Sequence, residues 1–268
     1  MLPGGRALTG PREQALAEEA RLLFEALRTT EPVPPPRERI ADFTIEDAYS
    51  VQRELIRLRA ADGARRVGRK VGLTSLAMQE MLGVDQPDYG VLLDEMVVEP
   101  DHEIERSQLI APRVEAEIAF VLNRPLAGDD VEIDDVLRAT GAVRPALEVI
   151  DSRVAEWRIA IEDTIADNAS SGLVVFGPPA PLGNLDLVGE GVEVTVGGAS
   201  ASGSGEAVLG HPAAGVAWLV RALARHGEGL EAGEVIIPGA MARALPFAAG
   251  DVLRASFSTL GELTVKVR

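Results

Sequence analysis

A chain of 268 residues, 46% of them hydrophobic, can bury a sizeable core, either as one large domain or as a domain with an appendage. Its formal charge of −16, with no basic run beyond the Arg65-Arg66 and Arg69-Lys70 pairs, argues against a nucleic-acid partner, which needs an accessible basic surface. With no cysteine, disulfides, thiolate metal sites and a cysteine nucleophile are excluded, and apolar runs such as Ile118 to Leu122 fall short of the ~20 residues of a membrane span.

The N-terminus has no apolar stretch behind a basic one, so no secretory signal is expected and the cytoplasm is the default location. Leu16, Ala20, Leu23, Phe24 and Leu27 recur at helical spacing and predict an amphipathic helix over Pro11 to Thr30. The segment Glu31 to Pro36 (EPVPPP) breaks it. Thr44 with Asp47 has the pattern of an N-cap and opens a second helix, Ile45 to Ala61, which Asp62-Gly63 ends. These helices read as an N-terminal cap over residues 1–63, with a β-rich body over 64–268.

Beyond Gly63 the pattern changes to short strands separated by Gly, Pro and Asp. Strands are predicted at Val67 to Leu73, Arg113 to Leu122, Ala142 to Ile150, Gly172 to Phe176, Val192 to Val196, Glu234 to Ile237, Val252 to Ser258 and Glu262 to Val267. Helices are predicted at Ser75 to Met81, Asp134 to Thr140 and Ala213 to His226, and Gly197 to Glu206 reads as a flexible turn region. Strand-rich sequence without regular βαβ alternation predicts an α+β fold, a mixed β-roll or distorted barrel.

In Pro112 to Leu122 (PRVEAEIAFVL), strand alternation puts Val114, Ala116, Ile118 and Phe120 on one face and Glu115, Glu117, Ala119 and Val121 on the other. The two glutamates are then neighbours roughly 7 Å apart along the strand. An exposed acidic face is the commoner meaning of this pattern. Here the same face runs on into Ala119 and Val121, which points to a partly buried cleft, where like charges raise each other's pKa or recruit a cation. Glu148 sits in an otherwise apolar strand and needs a partner, either an arginine such as Arg153 or Arg113, or a shared cation. Three carboxylates together would offer hard oxygen donors suited to Mg²⁺ or Mn²⁺. His102, His211 and His226 lack ligand spacing, and Trp157 and Trp218 read as core residues. Lys70, flanked by Gly68 and Gly72, is by default a surface residue, but one whose backbone a ligand can approach. Gly83 to Gly90, with Asp88 after Pro87, reads as a turn. No P-loop and no G-x-S-x-G elbow occurs.

Taken in order, GRKVGLTS, GVDQPDYG, PRVEAEIAFVLNRPL, PALEVIDSR, DTIADNASSG and LGHPAAGVAWL resemble the 2-keto-4-pentenoate (2-hydroxypenta-2,4-dienoate) hydratase family of the fumarylacetoacetate hydrolase superfamily. The resemblance implies a fumarylacetoacetase C-terminal type of fold, with Glu115, Glu117 and Glu148 as ligands of Mg²⁺ or Mn²⁺. Lys70 and Asp88 would be an acid–base pair and Ser170 a substrate contact. It implies a small 2-oxo or 2-hydroxy-dienoic acid as substrate, a homo-oligomer, and association with an enzyme of a neighbouring step. The related 4-oxalocrotonate decarboxylase activity, and a non-catalytic assembly role, are the alternatives. Gly239 to Phe247 (GAMARALPF) departs from the hydratase pattern.

Overall fold

Prolines and short polar side chains set where the helices begin. The computed structural model describes residues 10–75, 79, 83–99 and 102–268. Helix α1 (Pro11–Thr29) starts on proline, and the Gly10 N–H donates to the Glu13 carboxylate at 3.1 Å. A single turn, α2 (Pro36–Arg39), follows the proline break. In α3 (Ile45–Ala61) the Asp47 N–H donates to Thr44 Oγ1 at 3.2 Å and the Thr44 N–H donates to Asp47 Oδ2 at 3.0 Å. Such a reciprocal cap is worth about 1 kcal/mol. Leu16, Ala20 and Leu23 of α1 pack with Ala48, Val51 and Leu55 of α3, and with Ile161, Ile165 and Ala166 from much later in the chain. Of the predicted helix over Ser75 to Met81 only Ser75 and Gln79 are among the described residues, the Gln79 N–H donating to the Ser75 carbonyl at 3.1 Å, and the rest falls outside them.

Twelve strands form two sheets among the described residues. The larger contains β1 (Arg66–Gly72), β2 (Asp88–Leu93), β3 (Val97–Val98), β4 (Arg113–Leu122), β5 (Thr140–Ile150), β6 (Ser171–Phe176), β9 (Val235–Ile237) and β10 (Leu245–Pro246). Its order is β2-β1-β9-β4-β5-β6-β3, with β10 beside β4, and it is mixed, since β1–β9 and β3–β6 are parallel. The two ends of that path, β2 and β3, are joined by one 3₁₀ turn, Asp94–Met96. Three residues reach no further than ~10 Å, so the sheet must roll until its ends approach. The smaller sheet contains β7 (Gly191–Val196), β8 (Ala199–Ser204), β11 (Val252–Phe257) and β12 (Gly261–Lys266) in the order β12-β11-β7-β8. Helices α4 (Ile133–Ala139), α5 (Ile161–Ala166) and α6 (Pro212–Ala224) complete the α+β architecture.

Alternation along β4 and β5 divides their side chains between two interiors. Val114, Ala116, Ile118 and Phe120 of β4, with Val143, Leu147 and Val149 of β5, join the main core with α6 and the small sheet. Ala119 and Ala146, on the opposite faces, pack inside the roll with Val91, Leu92, Val174 and Ile237. Glu115, Glu117 and Glu148 share that inner face, toward one end of the roll.

Several expectations need correction. Gly197 to Glu206 is not a flexible turn: β8 pairs with β7 in full register, and Ala201 is buried. Glycine is needed at position 203, where the strand lies close to another segment and a Cβ would sit 1.8 Å from the Met241 carbonyl oxygen. Asp88 does not lie in a turn but opens β2, since the loop ends at Pro87. Leu73 leaves β1 with φ of 56°. Composition gave no signal for β3, α5 and β10, which are too short to show periodicity. Trp157 is only half-buried outside both sheets, its indole N–H donating to the Ala111 carbonyl at 2.9 Å. Trp218 packs against the main core as expected.

Within the 20-residue stretch Gly205–Ala224 an 18-residue window reaches a membrane-like mean hydropathy of 1.3. It is not one continuous helix, because Leu209 and Gly210 take positive φ before α6 begins. Val216, Leu219 and Val220 of α6 are fully buried in the main core, which accounts for the apolar composition.

Candidate metal centre

Strand register assembles the acidic trio. Glu115 of β4 lies directly across from Glu148 of β5, and Glu117 follows two residues along on the same face. One carboxylate oxygen from each residue lies within 4.8 Å of the other two. Glu117 and Glu148 are each 1% exposed, and Glu115 is half-buried. Sequence spacing thus located Glu115 and Glu117, and the β4–β5 register brings Glu148 to them.

The oxygens of this trio are poorly used. Glu117 Oε2 accepts from the Gly239 N–H at 2.7 Å, while its Oε1 has no partner among the described residues. Neither oxygen of Glu148 accepts a hydrogen bond from the described residues, although Lys70 Nζ stands 3.3 Å from Oε1 as an ion pair. The arginines expected as partners are engaged elsewhere. Arg153 binds Asp167, and the Arg113 guanidinium lies 4.5 Å above the Trp157 ring. Buried polar atoms are normally satisfied, so orphaned carboxylate oxygens facing one another mark a place for a cation. All the donors are hard oxygens, which fit Mg²⁺, Mn²⁺ or Ca²⁺ better than zinc.

Lys70 is not a surface residue. It is 3% exposed, and its ammonium donates to the Ala169 carbonyl at 3.0 Å. Burial disfavours its charge, but Glu148, Asp88, Glu115 and Glu117 outweigh that and raise its pKa above the ordinary lysine value. Burial, reinforced by Glu148, pushes Glu115 up to about 7. Burial and Glu148 likewise hold Glu117 well above the usual carboxylate range. Asp88, 2% exposed, is also raised by burial, against the opposing pull of Lys70 and Thr164. Its Oδ2 meets the Thr164 hydroxyl at 2.6 Å, while Oδ1 has no hydrogen-bond partner among the described residues. A Cβ at Gly72 would come within 2.3 Å of that Oδ1 and 3.5 Å of Lys70 Nζ. Only glycine leaves room there for both groups.

Ser170 enters through a strained turn. Asn168, Ala169 and Ser170 have φ of 55°, 52° and 51°, a left-handed run that costs non-glycine residues energy and persists only where its surroundings enforce it. Several contacts enforce it here. Asn168 Oδ1 accepts from the Val91 N–H at 2.8 Å and its Nδ2 donates to the Val91 carbonyl at 2.9 Å. Arg153 Nε donates to Asp167 Oδ1 and its Nη2 to the Asp167 carbonyl, both at 2.6 Å. Ala169 thereby presents its carbonyl to Lys70, and the buried Ser170 Oγ has no partner among the described residues.

The sequence reading did not single out Thr164, Asn168, the Arg153–Asp167 pair or Gly239. The available signals were the DTIADNASSG block, which spans Thr164, Asp167 and Asn168, and the density of polar residues in Asp163 to Ser171, unusual for a segment that proves wholly buried.

Residues 61–268 match the fumarylacetoacetate (FAA) hydrolase C-terminal family. The chain is 43% identical over 243 residues to a 2-hydroxyhexa-2,4-dienoate hydratase of Comamonas testosteroni, covering 89% of this chain and 92% of that protein. It is 42% identical over 253 residues to a 2-keto-4-pentenoate hydratase of Paraburkholderia xenovorans, covering 93% and 94%. Its structure superimposes on 4-oxalocrotonate decarboxylase from Pseudomonas putida G7, complexed with magnesium and adipate, with a TM-score of 0.93 and 37% identity, over 97% of this chain and 99% of that one.

Proposed function

The chain belongs to the 2-keto-4-pentenoate hydratase family within the fumarylacetoacetate hydrolase superfamily, and from that membership we propose that it is a metal-dependent hydro-lyase of aromatic-compound catabolism. It hydrates 2-hydroxypenta-2,4-dienoate or a close analogue to 4-hydroxy-2-oxopentanoate. The observation that carries this reading is the buried acidic trio with unused oxygens beside the Lys70–Asp88 pair. Residues 64–268 form the catalytic body in this reading, and residues 1–63 a helical cap upon it.

Glu115, Glu117 and Glu148 would hold the dication, Mg²⁺ or Mn²⁺. When bound, the ion supplies a Lewis acid that polarises the carboxylate and 2-oxo oxygens of the substrate. The chain's own residues do the rest. Lys70, kept cationic, stabilises the negative charge that develops on the substrate as the dienol loses its 2-hydroxyl proton. Asp88, with one oxygen fixed on Thr164 and the other without a partner among the described residues, takes that proton and delivers it to the terminal carbon to complete ketonisation. Water then adds across the resulting double bond, oxygen to C4 and a proton to C3. The Ser170 hydroxyl contacts the substrate, and burial of the site limits bulk water.

A second reading has one observation in its favour, the close structural match to a decarboxylase. Loss of CO₂ from a longer diacid would use the same electron sink. One assay separates the two: dienol absorbance and CO₂ release are followed with Mg²⁺ present. Hydration without CO₂ supports the hydratase. CO₂ from 2-oxohex-3-enedioate without hydration of the dienoate selects the decarboxylase, and full activity in excess chelator contradicts both.

A further inference from the structure

Two elements distant in sequence aim Asp88: it opens β2, and its Oδ2 meets the Thr164 hydroxyl of α5 at 2.6 Å. A single side chain of the N-terminal layer ties these elements together. Gln52 of α3, 3% exposed, sends its Nε2 to the Tyr89 carbonyl, one residue after Asp88, at 2.9 Å. The same Nε2 reaches the Ile165 carbonyl, one residue after Thr164, also at 2.9 Å. One amide nitrogen thus spends both hydrogens on the two backbone groups that adjoin the Asp88–Thr164 contact. One turn earlier on α3, the Tyr49 ring stacks on Tyr89 with centroids 4.5 Å apart.

Resting on the reading of Asp88 as the proton carrier, we infer that Gln52 is a positioning residue for the reaction. It clamps β2 to α5 so that the Asp88 carboxyl stays on the Thr164 hydroxyl with its second oxygen free. Gln52 lies outside residues 61–268, the part that matches the family, so the helical layer helps to build the active site as well as covering the body. The chemistry requires a neutral double donor. Both partners are carbonyl acceptors, so glutamate would set an acceptor against two acceptors, and methionine would fill the same space while donating to neither.

The test compares the Mg²⁺-loaded wild type with Gln52→Met and with Leu55→Ala, a cavity variant on the same helix that removes apolar packing from the layer but no hydrogen bond to either carbonyl. Gln52→Met is expected to lower kcat about tenfold or more, with KM and Mg²⁺ affinity changed less than twofold. Leu55→Ala is expected to keep kcat. In a Thr164→Val background, Gln52→Met should cost less than twofold more, because both changes act on one contact. Hydrogen exchange should quicken in residues 88–93 of Gln52→Met and not in those of Leu55→Ala, whose lost packing falls on Ile161, Ile165 and Ala166. Should Gln52→Met not fold, Gln52→Asn, too short to span both carbonyls, is read in the same way. Unchanged kcat in Gln52→Met, an equal loss in Leu55→Ala, or an additive loss in the Thr164→Val background overturns the inference. If the wild type itself fails to hydrate the dienoate, the functional reading fails, and the exchange data alone decide the clamp.

Discussion

Two buried ionic clusters lie close together in this molecule, and they are built in opposite ways. In the Arg153–Asp167 pair, at 3% and 0% side-chain exposure, every buried side-chain polar atom finds a partner among the described residues; Arg153 also donates to the carbonyls of Asp151 and Ser171. In the Glu115–Glu117–Glu148 trio three buried oxygens have no hydrogen bond among the described residues, and Lys70 faces three like charges. A satisfied buried pair holds a shape, here the left-handed Asn168–Ser170 turn. An unsatisfied like-charged group is a stability cost that a ligand relieves. Burial and charge are common to both clusters, and the state of the oxygens is what separates scaffold from site.

That contrast breaks most visibly at Glu117. Glu117→Gln should cut metal-dependent turnover by more than about a hundredfold, since loss of a ligand exceeds the usual 10–100-fold cost of disturbing its supports. The metal-free protein should gain stability, most at high pH, where the buried carboxyl would otherwise be driven to ionise beside Glu148. Steady-state rates and urea midpoints check the two halves. Asp167→Ala should do the reverse, losing ~3–5 kcal/mol by leaving the Arg153 charge buried and unpaired, read from the same midpoints. A smaller effect is expected at Gly239, whose N–H holds Glu117 Oε2 and whose φ is 132°. A Cβ there would meet Thr74 Oγ1 at 1.9 Å, so Gly239→Ala should weaken Mg²⁺ binding about 10–100-fold, measured by calorimetry.

The gentlest probe is pH. An acid whose folded pKa lies above its unfolded value binds protons more readily when folded. Its contribution is therefore full below the unfolded value and lost as pH rises through the folded one. For Asp167, raised by burial, the window runs from 3.8 to about 6; for Glu115 it runs from 4.5 to about 7. Metal-free protein should lose stability across both windows. Saturating Mg²⁺ should restore the loss above about pH 6, which belongs to the trio, and leave the Asp167 part untouched. Urea midpoints at pH 5, 6 and 7, with and without the ion, test this.

Much of this arrangement was legible in the residues. Period-two alternation put Glu115 and Glu117 on one face, and a lone glutamate among Ala146, Leu147, Val149 and Ile150 announced that Glu148 needed a partner. The identity of that partner depended on the β4–β5 register and on β1 lying two strands from β4, which local pattern does not encode. Lys70 was misplaced on the surface for the same reason, because its burial comes from strands and a turn remote in sequence. Asp88 was misread because a Pro-Asp pair resembles a turn whether or not a strand follows. The helices α1 and α3 were read nearly to the residue, since their caps are local. Gln52 carried no signal, because one polar residue on an apolar helix face shows its use only when its partners are in place.

The claim on which the rest depends is tested most directly by titrating Mg²⁺ into chelator-stripped protein at pH 7 by calorimetry. One saturable site per chain is expected, with protons released on binding as the raised carboxyls ionise, and with the site lost in Glu117→Gln. Binding of undiminished affinity in Glu117→Gln, or no saturable binding in the wild type, would contradict the account.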